Sequence, residues 1–404
     1  MAEQSGPLAG IQVLDLTQFL AGPYSTQILA DLGARVIKLE SPSGDWSRTL
    51  PPHFVGRESC YYLSINRNKN GVVIDLKKPA GLELVRRLAD RCDILMENFR
   101  PGVLARLGLT YAAAAARNPG LIWCSISGFG QDGPYRDRPA YDMIVQAMSG
   151  GMSLTGEPGR PAVRAGIPIG DLAAGMYGVI GVLAALQERH ATGKGRQVDI
   201  SMLDCQVAML SYQAAYYLHS GTVPGRQGAG HDSIPTYRSF EAANHTGLVI
   251  TANTEKMWQG LCGVLGLAEL KDDTRFLTND QRYANREALW PLLEAAFTAR
   301  EAKEWVPLLQ DAGIPVGEVN TLRDSLADEQ VRHRQMVLEL ENDAGERVGV
   351  SGNPVKFPGK PVERHRYPPA LGEHTAEILG TVLGLSPEEI ATHLADGVVV
   401  QAGG

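Results

Sequence analysis

Up to residue 126, short runs of aliphatic and β-branched residues alternate with stretches whose apolar positions recur every three or four residues. Residues 11–16 (IQVLDL) predict a strand. In 23–33, Tyr24, Ile28, Leu29 and Leu32 share one helical face, with Pro23 suited to the first helical position and Gly33 to the residue past the end. Residues 35–40 (RVIKLE) return to strand. The alternation continues with a strand at 71–76, a helix at 79–90, a strand at 93–97, helices within 101–116 and a strand at 121–126. Strands joined by helices imply parallel βαβ units, so the expected fold class is α/β with a large doubly wound, Rossmann-like parallel sheet. Ligands bind beyond the carboxyl ends of such strands, which points to 17–23, 98–100 and 127–130.

Residues 171–190 predict a long helix in which Gly175, Gly178 and Gly181 line one side, letting another backbone approach. A polar, glycine-rich break follows at 224–235 (PGRQGAGHDSIP), a linker or an active-site loop. Beyond it the pattern becomes two short strands (236–241, 247–252) and helices near 255–266, 282–298 and 301–312, a second, smaller α+β domain. Residues 337–341 and 347–350 flank an Asp-Ala-Gly turn and predict a hairpin. The last helix opens on Ser386-Pro387-Glu388-Glu389, a capping box. The domain reading is therefore 1–224, then a small domain at 225–325, then 326–404.

Composition narrows the class. In 404 residues, 44% are hydrophobic and 21% charged, ordinary for a globular protein. A net charge of −7 argues against nucleic-acid binding, which needs a basic surface, but leaves room for a small anion held by local Arg or Lys. The opening residues, MAEQSGPL, lack a basic n-region and an apolar h-region, and the longest apolar run, 176–186, is short of the ~20 residues that span a bilayer. Five scattered cysteines without a C-x-x-C pair predict reduced thiols, and nine dispersed histidines predict no metal site. The expectation is a cytoplasmic enzyme without a membrane or nucleic-acid partner.

Each candidate for chemistry also has a plainer structural role. The loop at 17–23 (TQFLAGP) carries one glycine where a dinucleotide fingerprint needs three, so NAD binding is not expected. Asp171 stands before the glycine-striped helix, where an aspartate is first of all a cap. A carboxylate at a helix mouth is also a candidate covalent nucleophile. Tyr141-Asp142 reads as an acid–base pair or as the start of a helix. His231 in the glycine-rich loop reads as a base or a solvated side chain. Asn98-Phe99-Arg100 offers an amide, an aromatic face and a guanidinium at a strand end, a combination suited to a nucleotide with phosphates.

In chain order, the segments VLDLTQFLAGPYSTQILADLGARVIKLE (13–40), NKNGVVIDLKKPAG (68–81), ENFRPGVLARLG (97–108), SISGFGQDGPYRDRPAYD (125–142), GDLAAGMYGVIGVLAAL (170–186), QVDISMLD (197–204), AGIPVGEVNTL (312–322) and NPVKFPG (353–359) resemble the class III CoA-transferases. That family includes formyl-CoA, carnitine and succinate-dependent dicarboxylate CoA-transferases and the related α-methylacyl-CoA racemases. The resemblance implies a large domain built from both chain ends, a smaller inserted domain, and a homodimer of interlocked subunits. It places the nucleophile on Asp171 and the CoA pocket on Ile74, Lys77, Asn98, Phe99, Arg100 and Arg106. The acyl end falls near Gln18, Phe19, Leu20 and Tyr141, with the loop containing Gly228, Gly230 and His231 closing over it. CoA enters as substrate, and no tightly bound cofactor is implied. Leu20, Ser41 and Pro139 stand where formyl-CoA transferase carries Gln, Arg and Lys, which argues against formate and oxalate.

The racemases carry His-Asp where this chain has Tyr141-Asp142. A tyrosine, with an ordinary pKa near 10, is a poor base at neutral pH. The resemblance therefore implies transfer of CoA to a carboxylic acid, with a small dicarboxylate favoured, through an aspartyl anhydride and an aspartyl-CoA thioester. Racemase-type proton exchange and intramolecular CoA transfer within one dicarboxylate are the alternatives.

Overall fold

The computed structural model describes residues 6–358 and 365–402. The opening five residues and Gly359, which closes the 353–359 motif, lie outside them. The chain forms two compact units, one from residues up to 151, 164–221 and 332 onward, the other from 152–163 and 222–331. The smaller unit has wider limits than the 225–325 expected from the sequence. Segment 152–163, expected in the large domain, instead folds with the smaller unit, where Gly156 O accepts from Gly228 N–H at 3.1 Å.

The large unit is built on a seven-stranded sheet: β1 (Gln12–Asp15), β2 (Arg35–Glu40), β3 (Lys69–Ile74), β4 (Ile94–Glu97), β5 (Ile122–Ser127), β6 (Gln197–Ser201) and β7 (Val399–Val400). Their order is β7-β3-β2-β1-β4-β5-β6. Neighbours run parallel except β7, which pairs antiparallel with β3 at the edge. The 3-2-1-4-5-6 order reverses between β1 and β4, so the crevice beyond their carboxyl ends is the switch point where ligands are expected. One apolar cluster fills each face of the sheet. Leu14, Ile37, Val72 and Leu95 meet Leu84, Leu88, Ile378 and Leu379 on one side; Val13, Val36 and Ile122 meet Leu29, Val179 and Val182 on the other.

Three helices position the site: α1 (Ala21–Asp31), α2 (Asp142–Met148) and α3 (Ile169–Thr192). The glycine stripe of α3 does what its spacing predicts. A Cβ on Gly175 would lie 2.9 Å from Ala21 O of α1, one on Gly178 3.1 Å from Ser25 Oγ, and one on Gly181 2.7 Å from Val198 Cγ1. Ser25 Oγ completes the contact by donating to Gly175 O at 2.7 Å. Helix α3 is also longer than the 176–186 run suggested. It has 24 residues, and an 18-residue stretch of it has a mean hydropathy of 1.8, so it could cross a membrane by length and composition, yet half of that stretch is buried within the protein. The residues expected as helices within 101–116 resolve into two short ones, Val103–Arg106 and Tyr111–Arg117, separated by Gly108 at φ 71°.

The smaller unit has a three-stranded antiparallel sheet of Arg238–Glu241, Gly247–Ile250 and Val316–Glu318. Its core joins Phe240, Leu248 and Ile250 to Trp258, Leu293, Phe297 and Trp305 from the helices of that unit. The expected hairpin forms as Val337–Glu341 against Arg347–Ser351 and packs on Tyr62 and Leu63.

Because the nearest neighbour of a Cβ at Gly175 is main chain, Gly175→Val must push α1 and α3 apart. We expect it to cost about 1–3 kcal/mol, read as an earlier chemical-denaturation midpoint at unchanged slope.

Candidate active site

The site grows from the loop after β1, held by charges that water does not reach. Asp15, the last residue of β1, is wholly buried; its Oδ1 accepts from Thr17 N–H at 2.9 Å and Oγ at 2.5 Å, and its Oδ2 from Thr26 Oγ1 at 2.6 Å. Lys69 Nζ donates to Asp15 Oδ2 (3.2 Å), Pro23 O (2.9 Å) and Asn66 Oδ1 (2.8 Å). Lys38 Nζ donates to Thr17 O (3.0 Å) and Asp45 Oδ2 (2.9 Å). Burial brings Lys69 down to about 8 despite the pull of Asp15. Burial also depresses Lys38, but Asp45 and Asp15 outweigh it and hold the ammonium form. Asp15 is shifted the opposite way: burial raises it, and the two lysines bring it below the ordinary value.

These anchors shape the turn that follows. Gln18 N–H donates to Asn98 Oδ1 at 2.9 Å and Asn98 Nδ2 donates back to Gln18 O at 2.8 Å, stitching the loop after β1 to the loop after β4 across the switch point. Phe19 takes φ 63°, a left-handed conformation that side chains avoid, while its N–H donates to Asp45 Oδ1 at 3.3 Å. The turn projects the Phe19 ring toward Trp46 (centroids 6.4 Å) and edge-on to Tyr141 (6.1 Å). Trp46 and Tyr141 are largely exposed. Leu20, by contrast, is buried and offers little surface to an acyl group.

Asp171 is not the helix cap that its position suggested. Helix α3 begins at Ile169 with Pro168 at the N-cap, so Asp171 sits inside the first turn. Pro168 has no side-chain oxygen to give the first turn; that role passes to Asp142 of α2, whose Oδ1 accepts from Gly170 N–H at 2.7 Å. The Asp171 carboxyl accepts no hydrogen bond among the described residues. Burial, and then the charge of Asp142, push it up to about 7. A helix N-terminus favours a carboxylate, so burial and repulsion here outweigh the helix dipole.

Tyr61 was not singled out in the sequence. Burial raises its hydroxyl to about 12, with added repulsion from Asp171, Asp45 and Asp142, which places it among the same acids. Only its neighbourhood in space reveals it; Cys60-Tyr61-Tyr62 carries no motif. Tyr141 and Asp142 are not an acid–base couple either. Tyr141 is the N-cap of α2 without a side-chain cap bond, and Asp142 is engaged with Gly170 and with Gln146 Nε2 at 2.7 Å.

Of the positions assigned to CoA, Asn98, Phe99 and Arg100 follow β4 directly. Glu97, raised to about 7 chiefly by burial, accepts from Phe99 N–H at 2.9 Å and sets that turn. Phe99 packs partly on the core, so only part of its ring is open to a base. Arg100 and Arg106 are exposed. A Cβ on Gly102 would lie 3.5 Å from Arg106 Nη1 and 3.4 Å from Arg136 Nη2, so two guanidinia converge there, the second unanticipated. Lys77 is exposed past the carboxyl end of β3. Ile74 needs correction: its side chain is wholly buried between the sheet and its helices, paired with Val399, and can offer a ligand only its main chain.

Gly228, Gly230 and His231 belong to the smaller unit. There Gly228 has φ 62° with Glu157 in the space of a Cβ, Gly230 bridges Arg238, and the His231 ring stacks on Tyr237 at 5.5 Å. No group of three or more His, Cys, Asp or Glu among the described residues is arranged to hold a metal. An open hollow of about 470 Å³ lined by Gly10, Gln12, Arg35, Arg91, Thr381 and Val382 lies at the opposite, amino-terminal edge of the sheet, away from these groups.

Residues 8–375 match the family model described as CoA-transferase family III. The chain is 39% identical over 396 residues to a human succinyl-CoA:glutarate CoA-transferase, covering 98% of this chain and 90% of that protein. It is 39% identical to an acetyl-CoA:oxalate CoA-transferase of Acetobacter aceti, covering 93% and 96%. Among solved structures, a CaiB/BaiF family protein from Brucella suis superposes with a TM-score of 0.84 at 38% identity, over 94% of this chain and 100% of that one.

A buried acid whose folded value is raised binds protons more tightly than in the unfolded chain, so its ionisation costs stability as pH rises. Asp171→Asn should therefore raise the melting temperature at pH 8. The gain should shrink as pH falls from about 7 toward the ordinary aspartate value, as thermal unfolding across that range would read.

Proposed function

The chain belongs to CoA-transferase family III, and on that premise we propose that it moves CoA from an acyl-CoA thioester to a small dicarboxylic acid with Asp171 as the covalent nucleophile. Enzymatic CoA transfer is given by the family and by relatives at nearly full length. The observation carrying the nucleophile is an ionisable carboxyl in the first turn of α3, half-buried and free of protein hydrogen bonds among the described residues. An oxygen committed to a cap or an ion pair would be a poor nucleophile; this one is available.

In the proposed cycle, ionised Asp171 attacks the thioester carbonyl. The carboxylate oxygen–acyl bond forms, the carbon–sulfur bond breaks, and CoA leaves as thiolate. The thiolate attacks the aspartyl carbonyl of the anhydride, releasing the donor acid and leaving an aspartyl-CoA thioester. The acceptor carboxylate attacks that thioester, and the thiolate then attacks the acceptor's acyl carbon, restoring Asp171. Covalent steps keep the thioester energy that direct hydrolysis would lose. Arg100, Arg106 and Lys77, with Arg136 added, supply positive charge for the phosphates of CoA. Gln18, Phe19 and Tyr141 face the acyl group.

Transfer is favoured over α-proton exchange because Tyr141, a poor base at neutral pH, stands where the racemases carry histidine, and Asp142 is held by two amides. The acid pair follows the relatives by analogy: glutarate with succinyl-CoA leads, and the Acetobacter aceti enzyme keeps oxalate on the panel despite Leu20, Ser41 and Pro139. A homodimer of interlocked subunits is part of the same proposal. It is supported by the exposed apolar residues Met176, Tyr177 and Ile180 on α3, Met143 and Ile144 on α2, and Leu218 on Tyr212–Ser220. Five free thiols, four of them buried, suit a reducing cytoplasm.

Asp171→Ala should abolish transfer while retaining CoA binding, and borohydride should trap the aspartyl-CoA thioester only in the unsubstituted chain; full activity in the variant would sink the scheme. A screen of succinyl-CoA and acetyl-CoA against glutarate, oxalate, malate, itaconate and mesaconate identifies the acceptor, and exchange in the absence of any acceptor would point to intramolecular transfer. Light scattering on the purified chain should return twice the monomer mass.

A further inference from the structure

The join between α2 and the start of α3 runs through two side chains that the catalytic cycle leaves unused. Asp142 is buried, with Oδ1 on Gly170 N–H and Oδ2 on Gln146 Nε2, both at 2.7 Å. Gln146, more deeply buried still, uses its carbonyl to accept from Ala165 N–H at 2.9 Å, so the segment leading into α3 is clamped from the same side. Gly170 cannot be larger: a Cβ there would lie 2.9 Å from Asp142 Oδ1 and 2.8 Å from Val145 Cγ2.

A buried aspartate at a helix start is often no more than a cap worth about 1 kcal/mol. Asp142 differs in two respects. The amide it holds belongs to the residue immediately before Asp171, and among the described residues it forms no ion pair, its side-chain partners being uncharged N–H groups. Its charge therefore stands un-neutralised beside the nucleophile.

We infer that Asp142 is a positioning residue for Asp171, fixing the first turn of α3 and, through its charge, making Asp171 a stronger nucleophile than an ordinary aspartate. The inference rests on the reading of Asp171 as the nucleophile. When Asp171 forms its bond to the acyl carbon it loses its charge, so the repulsion from Asp142 present in the free enzyme is relieved along the reaction. Asp142 of α2 is the charge that acts on Asp171 among the described residues, Tyr61 of the Cys60–Ser64 helix feels Asp171, Asp45 and Asp142 together, and one turn further along α3 the Tyr24 ring of α1 reaches Gly175.

Asp142→Asn tests this, since the amide oxygen can still accept from Gly170 while the charge is gone. Transfer should be followed as kcat/KM against pH, beside thermal unfolding and borohydride trapping. The expected result is an acid limb displaced to lower pH by roughly half a unit, a lower plateau, and an adduct still trapped on Asp171. An acid limb that stays in place overturns the inference whatever happens to the plateau or the melting temperature, because a purely structural cap does not move it. Should the Asn side chain not be accommodated beside Gln146, Asp142→Ser, also neutral, repeats the measurement with the same criterion. An adduct in both wild type and variant with an unmoved limb sinks this inference alone; no adduct in wild type removes the nucleophile reading and this inference with it.

Discussion

Everything at the carboxyl edge of the sheet hangs on four charges buried beneath the loop after β1. Asp15, Lys38, Asp45 and Lys69 lie where water does not reach, and each is acceptable only because the others are in place. Removing one partner of such a pair typically costs 3–5 kcal/mol, because a bare charge is left behind. That interdependence makes the loop rigid. It lets Phe19 hold a left-handed backbone angle in a residue that would otherwise avoid it, and it fixes Gln18 where Asn98 can grip both its main-chain groups. A softer scaffold would let the turn relax and the Phe19, Trp46 and Tyr141 rings drift apart.

The site balances that rigidity with an unstable centre. Asp171 is set where its charge is least welcome: half-buried, near another carboxylate and without a protein donor among the described residues. The fold gives up some stability to keep it there, and on the proposed mechanism its reactivity would come from the same source. The contrast with Asp15 is instructive. Both are aspartates at the carboxyl edge, yet lysines hold one below the ordinary value while burial and a second aspartate hold the other above it.

Much of the scaffold was legible because it is locally encoded. The β1–α1–β2 unit follows from apolar periodicity with Pro23 and Gly33 as punctuation, and the stripe of Gly175, Gly178 and Gly181 announced a close helix contact that the Ala21 carbonyl fulfils. What escaped is non-local. Asp171 looked like a cap because sequence cannot show that α3 starts two residues earlier and is capped from α2. Tyr61 and Arg136 join the site through folding alone, and Ile74, a fair candidate by alignment of motifs, disappears into the core once β7 covers the edge of β3. Segment 152–163 lay too far from its partners in sequence to be assigned to them.

That last strand has a consequence in time. Val399 and Val400 complete the edge of a sheet whose other strands are finished by Ser201, and Ile378, Leu379 and Leu383 cover one of its faces. During synthesis the opposite face can close once α3 has emerged, but this one must wait while more than 170 further residues are made. The nascent chain therefore carries an open apolar surface and an unpaired strand edge for most of its time on the ribosome. A truncation of even a few dozen residues at the carboxyl end would make that transient state permanent, turning a folding intermediate into an aggregating one.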